Sequence, residues 1–148
     1  MRPIDYFDRG ARKAPDRAFL AGNGHAFTFA ESREHTWAIA RGLYAAGFEL
    51  GDSVAVFAPN DPAAMLCVFG ALRAGGAWVP VNARNAPSTN AEYLAYVKTR
   101  WFFYHSSVAD RAAEIIPQLP ELRGVVCIDA AADGHPSLAA FCAAGEGT

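Results

Sequence analysis

The stretch "GDSVAVFAPNDPAAMLCVFGALRAGGAWVPVNAR", residues 51–84, decides the fold. Two short, continuously apolar runs, residues 54–58 and 77–81, flank a longer apolar segment. Asp61 and Pro62 open that segment as a helix, because aspartate caps helices and proline suits the first helical position. We therefore predict a helix over residues 62–73 between two strands. Continuously apolar strands that alternate with helices are typical of a parallel sheet covered on both faces.

The alternation extends in both directions along the chain. Upstream, the pair Asn23-Gly24 between two apolar runs predicts a β-hairpin. Downstream, we expect Ser106 and Ser107 to cap a helix, and Pro80 to leave its strand bulged or unpaired because proline has no N–H to donate. Further helices are predicted over 3–13, 31–46, 87–99, 107–116 and 138–144, and further strands over 101–105 and 124–129.

The predicted fold class is α/β, with a mostly parallel sheet and helices on both faces, preceded by an N-terminal helix and a β-hairpin. The length of 148 residues is ordinary for one domain. We treat residues 1–148 as a single domain in which residues 130–148 form a loosely held tail.

Composition and charge exclude several classes of function. The net charge is −2 and no basic stripe is present, which argues against nucleic-acid binding. The longest apolar stretch, residues 63–81, is interrupted by Arg73, two glycines and Pro80, so no transmembrane segment is predicted. The first residues lack the apolar core of a signal peptide, and a cytoplasmic location is expected. The three cysteines have no metal spacing and are interpreted as structural.

Parallel α/β sheets bind ligands beyond the carboxyl ends of their strands. No phosphate loop, dinucleotide fingerprint, zinc-protease motif or nucleophile elbow occurs in the sequence, and the histidines have no metal or triad spacing. We predict no catalytic residue and no metal ligand, and we expect Asp61 to cap a helix. Arg84 alone stays a candidate, either as a solvated or salt-bridged side chain or as an anion contact, because guanidinium binds phosphate well. The predicted strands are followed by Asn60-Asp61, Asn82-Ala83-Arg84, His105-Ser106-Ser107 and Asp129.

Several of these motifs, taken in order, resemble one known family. The matching positions are Gly51-Asp52, Pro59-Asn60, Arg73-Ala74-Gly75 and residues 79–84. There the chain resembles the N-terminal region of the adenylate-forming, AMP-binding superfamily, and within it the acyl-CoA synthetases (fatty-acid–CoA ligases) are most similar. The resemblance covers about residues 5–128. Two departures are that Ala83 replaces the usual proline and that the helix after Arg84 lacks the family's acidic ending.

The resemblance implies an N-terminal subdomain of an enzyme that converts a carboxylic (fatty) acid to an acyl-adenylate and then to a CoA thioester. Such an enzyme uses ATP, Mg²⁺ and CoA. The family's phosphate loop and its C-terminal catalytic lysine lie beyond the matched region, so this chain would be a partial domain, inactive alone, and bind none of these ligands tightly. By the same resemblance, Arg84 lies near the CoA phosphates, whereas Asn82 holds the turn by bonding to backbone.

Other functions remain open from the sequence. The acyl acceptor could be a carrier protein, as in an adenylation domain. A non-catalytic α/β interaction module, with a homodimer formed through exposed apolar surface, is a second alternative, because large exposed apolar patches mark interfaces. A flavodoxin-like domain is less favoured, since no phosphate loop follows the first parallel strand.

Overall fold

The computed structural model describes residues 2–132 and 134–148. The elements are α1 (Pro3–Lys13), β1 (Ala18–Gly22), β2 (His25–Thr28), α2 (Phe29–Ala45), β3 (Ser53–Phe57), α3 (Pro62–Ala74), β4 (Ala77–Pro80), α4 (Pro87–Tyr96), β5 (Trp101–Tyr104), α5 (Ala109–Ile115), β6 (Gly124–Cys127) and α6 (Leu138–Ala143). Strands β3 to β6 form a parallel sheet in the order β4-β3-β5-β6, and β1 and β2 form an antiparallel hairpin. The predicted α/β class, with its N-terminal helix and hairpin, is confirmed.

The parallel sheet separates two apolar cores. Successive side chains of a strand point to opposite faces. In β5, Trp101 and Phe103 therefore face the first core, which α2, α3 and α6 complete, whereas Phe102 and Tyr104 face the second core, beneath α4 and α5. Because both faces are covered, the central strands β3 and β5 are apolar at nearly every position.

Helix α2 begins two residues earlier than predicted. Thr28 and Glu31 form a capping box, in which each side chain accepts a hydrogen bond from the other's backbone N–H at 3.1 and 3.2 Å. The buried stripe of α2 includes Ile39, Ala40 and Leu43 but not Trp37 and Tyr44, which are 41% and 44% exposed. Both flank it instead: the Trp37 ring stacks on the Arg73 guanidinium, and the Tyr44 hydroxyl donates to the carbonyl of Ala74.

Helices α2 and α3 pack closely at Gly70. A Cβ atom at Gly70 would lie 2.5 Å from Cγ2 of the buried Ile39, which is too close for any side chain. Arg73, near the end of α3, is buried and forms an ion pair with Asp8 of α1, a contact that the sequence did not predict.

Two local predictions about capping and strand pairing were wrong. Pro80 pairs in regular register with Val56, because it is the last residue of an edge strand, where a missing N–H is tolerated. The turn after β5 is capped by the imidazole of His105 rather than by a serine hydroxyl, since His105 Nδ1 accepts the N–H of Ser107 at 3.1 Å.

Residues 134–148, which belong to the segment predicted as a loosely held tail, contact β6 and α2. The N–H of Cys127 donates to the carbonyl of Pro136 at 3.0 Å, so the chain runs back along the outer edge of β6. Helix α6 then packs against α2 and buries Phe141 in the first core. An apolar aromatic side chain holds this segment in place, although the helix itself is short. The interpretation of residues 1–148 as a single partial domain, with residues 130–148 as a loosely held tail, stays a prediction.

Candidate functional site

The polar residues that follow the four parallel strands lie at one edge of the sheet, because parallel strands all end on the same side. Asp61 follows β3, Arg84 follows β4, His105 follows β5 and Asp129 follows β6. The strand order places β4 at one end of this edge and β6 at the other. The edge therefore has a cationic end at Arg84, whereas its carboxylates lie beyond β3 and β6.

The arginine turn, residues 82–85, leaves β4 in a fixed shape. The Oδ1 atom of Asn82 accepts the N–H of Arg84 at 2.9 Å, and the carbonyl of Asn82 accepts the N–H of Asn85 at 3.1 Å. The expected role of Asn82 is thus confirmed. The Arg84 side chain is exposed, and within residues 2–132 and 134–148 no carboxylate forms an ion pair with it.

Two side chains from other elements reach the arginine turn. Arg111 of α5 donates from Nη1 to the carbonyl of Ala83 at 2.5 Å. Asn90 of α4 donates from Nδ2 to the carbonyl of Asn82 at 3.0 Å. Sequence reasoning missed both residues, since a lone arginine or asparagine within a predicted helix is typical of solvated surface.

Asp61 acts as the predicted helix cap. Its Oδ2 atom accepts the N–H groups of Ala63 and Ala64 at 3.1 and 3.3 Å. Its Oδ1 atom accepts the Nδ2 of Asn23 at 3.1 Å, which ties the tip of the hairpin to the start of α3. With both carboxylate oxygens engaged, Asp61 is a structural residue at this edge.

His105 and Asp129 join the ends of β5 and β6. The His105 Nε2 atom lies 3.4 Å from Asp129 Oδ2, and Ser106 donates to Asp129 from its N–H at 2.8 Å and from its hydroxyl at 2.5 Å. Burial opposes ionisation of Asp129, but the hydrogen bonds from Ser106 outweigh it and lower the pKa of this carboxyl. Because adjacent strand ends meet at one edge, the pairing could have been suspected from the sequence.

The arrangement Ser107–His105–Asp129 superficially resembles a hydrolase triad, since Ser107 Oγ lies 2.7 Å from His105 Nδ1. A serine nucleophile also needs free N–H donors for the oxyanion. All three nearby N–H groups are already hydrogen-bonded. The N–H of Ser106 donates to Asp129, that of Ser107 donates to the imidazole of His105, and that of Val108 donates to the carbonyl of His105. The cluster is therefore a structural link between strand ends.

Two open clefts lie along the same edge. One, of about 470 Å³, is apolar and lies between the hairpin, α3 and β4, where Leu20, Met65 and Trp78 line it. The other, of about 630 Å³, lies beyond β3, β5 and β6, where His25, His105 and Asp129 line it. Asp61 lines both clefts.

The cysteines are placed as structural residues. Cys67 and Cys127 are buried, and burial raises the thiol pKa of Cys67 far above its ordinary value. Burial also raises the pKa of Cys142, to about 11. Across the described residues, no group of three or more histidine, cysteine or acidic side chains is placed to hold a metal ion, and no helix is long and apolar enough to span a membrane.

Parallel α/β domains typically bind ligands beyond the carboxyl ends of their strands, where the polar residues of this chain gather. Comparison with known proteins identifies the family. The sequence profile described as "AMP-binding enzyme" matches residues 7–145. The chain belongs to the AMP-binding enzyme family.

Individual relatives agree with this assignment. A 3-[(3aS,4S,7aS)-7a-methyl-1,5-dioxo-octahydro-1H-inden-4-yl]propanoyl:CoA ligase of Mycobacterium tuberculosis is 33% identical over 129 residues, which are 85% of this chain and 25% of the relative. Phenyloxazoline synthase MbtB of the same organism is 34% identical over 90 residues, 61% of this chain and 6% of the relative. The chain thus spans a quarter or less of the length of these two relatives.

Solved structures show the same fold. A benzoate CoA ligase from Burkholderia xenovorans superposes with a TM-score of 0.85 at 14% identity, covering 97% of this chain and 28% of that one. At this identity the likeness concerns the fold alone. It nevertheless shows that the whole described architecture, from α1 to α6, occurs within a CoA ligase.

Proposed function

We propose that this chain is the N-terminal part of an acyl-CoA ligase, an enzyme that activates a carboxylic acid such as a fatty acid with ATP and transfers the acyl group to CoA. Membership in the AMP-binding enzyme family and the long alignment with a CoA ligase support the reaction class. The observation that carries the CoA part is the arginine turn, which presents an exposed guanidinium without an ion-pair partner among the described residues.

The proposed reaction has two displacements. A carboxylate oxygen of the acid attacks the α-phosphorus of ATP and pyrophosphate leaves, with Mg²⁺ offsetting the phosphate charge. The thiolate sulfur of CoA then attacks the acyl carbon, and AMP leaves. The contribution proposed for this chain is to the second step, through Arg84, whose exposed guanidinium has no ion-pair partner among the described residues. Arg84 fits a CoA phosphate, because a planar guanidinium can donate two hydrogen bonds to one phosphate.

The test is Arg84→Ala in the complete enzyme. Loss of a charge-assisted hydrogen bond costs about 1.5–3 kcal/mol, so we expect the KM for CoA to rise by about 10-fold or more. ATP–pyrophosphate exchange, which reports acyl-adenylate formation, should stay unchanged. Arg9→Ala is the matched control, since Arg9 is an exposed arginine on α1, away from the strand ends. An unchanged KM for CoA would refute the role of Arg84.

The acyl acceptor is tested separately, because one relative is named as a CoA ligase whereas the name of phenyloxazoline synthase MbtB does not mention CoA. The second candidate is an adenylation domain that loads a carrier protein. The complete enzyme should form a thioester with free CoA at least as fast as with a phosphopantetheinyl carrier protein. Thioester formation on the carrier alone would support the second candidate. The 148-residue chain by itself should show no ATP–pyrophosphate exchange.

A further inference from the structure

We propose that Arg111 and Asn90 are positioning residues that hold the arginine turn so that Arg84 is presented to its anion. The inference rests on the proposed CoA contact of Arg84. Neither side chain is assigned a contact with CoA itself. Both act on the backbone carbonyls of the turn, Arg111 on Ala83 and Asn90 on Asn82.

The arginine turn needs such support because of its place in the sheet. It follows β4, which among the described strands pairs only with β3 and is therefore an outer strand of the sheet. A turn after an edge strand has a neighbouring strand on one side only. The hydrogen bond from the N–H of Arg84 to the side chain of Asn82 fixes the local shape of the turn. Because both residues belong to the turn, this bond does not fix the position of the turn relative to the rest of the protein.

Asn90 supplies the buried anchor. Asn90, the fourth residue of α4, is only 2% exposed, although polar residues of a helix usually face solvent. A buried amide is costly unless it is hydrogen-bonded. The bond from Asn90 Nδ2 to the carbonyl of Asn82 therefore explains why this amide is tolerated there, and it joins the turn to the second core.

Arg111 supplies the outer anchor. It lies on α5, which packs against α4, and it reaches across 28 residues of sequence to the carbonyl of Ala83. A guanidinium bonded to this carbonyl limits the directions in which the next residue, Arg84, can point. Fixing a binding group in its bound geometry improves affinity because less freedom is lost on binding.

The test is a double-mutant cycle in the complete enzyme with Arg84→Ala, Arg111→Ala and the pair. Loss of one positioning hydrogen bond should raise the KM for CoA by roughly 5-fold. We expect no change in kcat or in ATP–pyrophosphate exchange, and near-complete recovery in Arg111→Lys, which keeps a donor. If Arg111 acts only through Arg84, adding Arg111→Ala to Arg84→Ala should not raise the KM for CoA further.

The outcomes separate the inference from the proposed function. A normal KM for CoA in Arg84→Ala would refute the Arg84 contact and, with it, the positioning role. A raised KM in Arg84→Ala but not in Arg111→Ala would refute the positioning role alone. Multiplicative effects in the double variant would show that Arg111 acts independently of Arg84, which also overturns the inference. Asn90→Ala provides a second, independent line with the same expected KM increase, and its melting temperature monitors folding.

Discussion

Removal of the Asp8 carboxylate should destabilise the fold strongly, because it would leave a buried guanidinium without its counter-ion. The side chain of Arg73 is 4% exposed and that of Asp8 is 18% exposed. The guanidinium donates to both carboxylate oxygens, at 2.9 and 2.5 Å, and its Nε donates to Thr36 Oγ1 at 3.0 Å. Breaking a buried pair from one side costs about 3–5 kcal/mol. Because Asp8 is partly exposed, we expect Asp8→Ala to lower the free energy of unfolding by about 3 kcal/mol, at the lower end of this range.

The assay is urea-induced unfolding of wild-type protein and variants, followed by circular dichroism. Arg33→Ala is the matched control, because its Nε lies 3.5 Å from the same carboxylate but its side chain is 44% exposed. Exposed ion pairs contribute little, so this variant should lose no more than about 0.5 kcal/mol. Combining Asp8→Ala with Arg73→Met should restore part of the lost stability, since no buried charge is then unpaired. Equal losses in Asp8→Ala and Arg33→Ala would refute the reasoning.

Three further predictions concern pH, capping and thiol reactivity. The hydrogen bonds from Arg73 lower the pKa of Asp8 against the opposing effect of burial. The stability that the ionised Asp8 contributes is therefore fully present above its unfolded-state pKa of about 4 and is lost as pH falls through its folded-state pKa. Asp8→Ala should flatten the acid limb of the stability–pH profile, and an unaltered limb would contradict this. Asp61→Ala should cost about 1–2 kcal/mol in urea unfolding through loss of the α3 cap, whereas the exposed Asp16→Ala should be neutral, and equal losses would count against the capping role. Since burial raises the pKa of Cys142 to about 11, iodoacetamide should alkylate the native thiol much more slowly than the unfolded one near neutral pH, and similar rates would show that Cys142 is accessible.

The local features of the fold were predictable because their causes are local. Apolar runs gave the four parallel strands, Asn23-Gly24 gave the hairpin, and Asp61 was recognised as a cap from its position before Pro62. The start of α2 is also a local feature, because Thr28 and Glu31, within four residues of sequence, have the spacing of a capping box. The predicted start at residue 31 did not use this signal.

The contacts that hold the candidate site were not predictable in the same way. Arg111 and Ala83 are 28 residues apart, and Arg73 and Asp8 are 65 apart. Periodicity shows which face of a helix is buried, but it does not show which distant carbonyl or carboxylate that face will meet. Asn90 was missed for the same reason, because its burial depends on the turn beneath it and not on its neighbours in α4.

The strand order determines whether Arg84 is free to bind an anion at all. Asp129 follows β6, and the order β4-β3-β5-β6 places β6 at the opposite end of the sheet from β4. Its carboxylate is instead engaged by Ser106 and His105 at the end of β5. If β6 lay beside β4, Asp129 would be positioned to neutralise Arg84, and the arginine turn would be a salt bridge between strand ends. The topology of the sheet, which the sequence alone did not specify, therefore separates Asp129 from Arg84, and the proposed anion contact of Arg84 requires this separation.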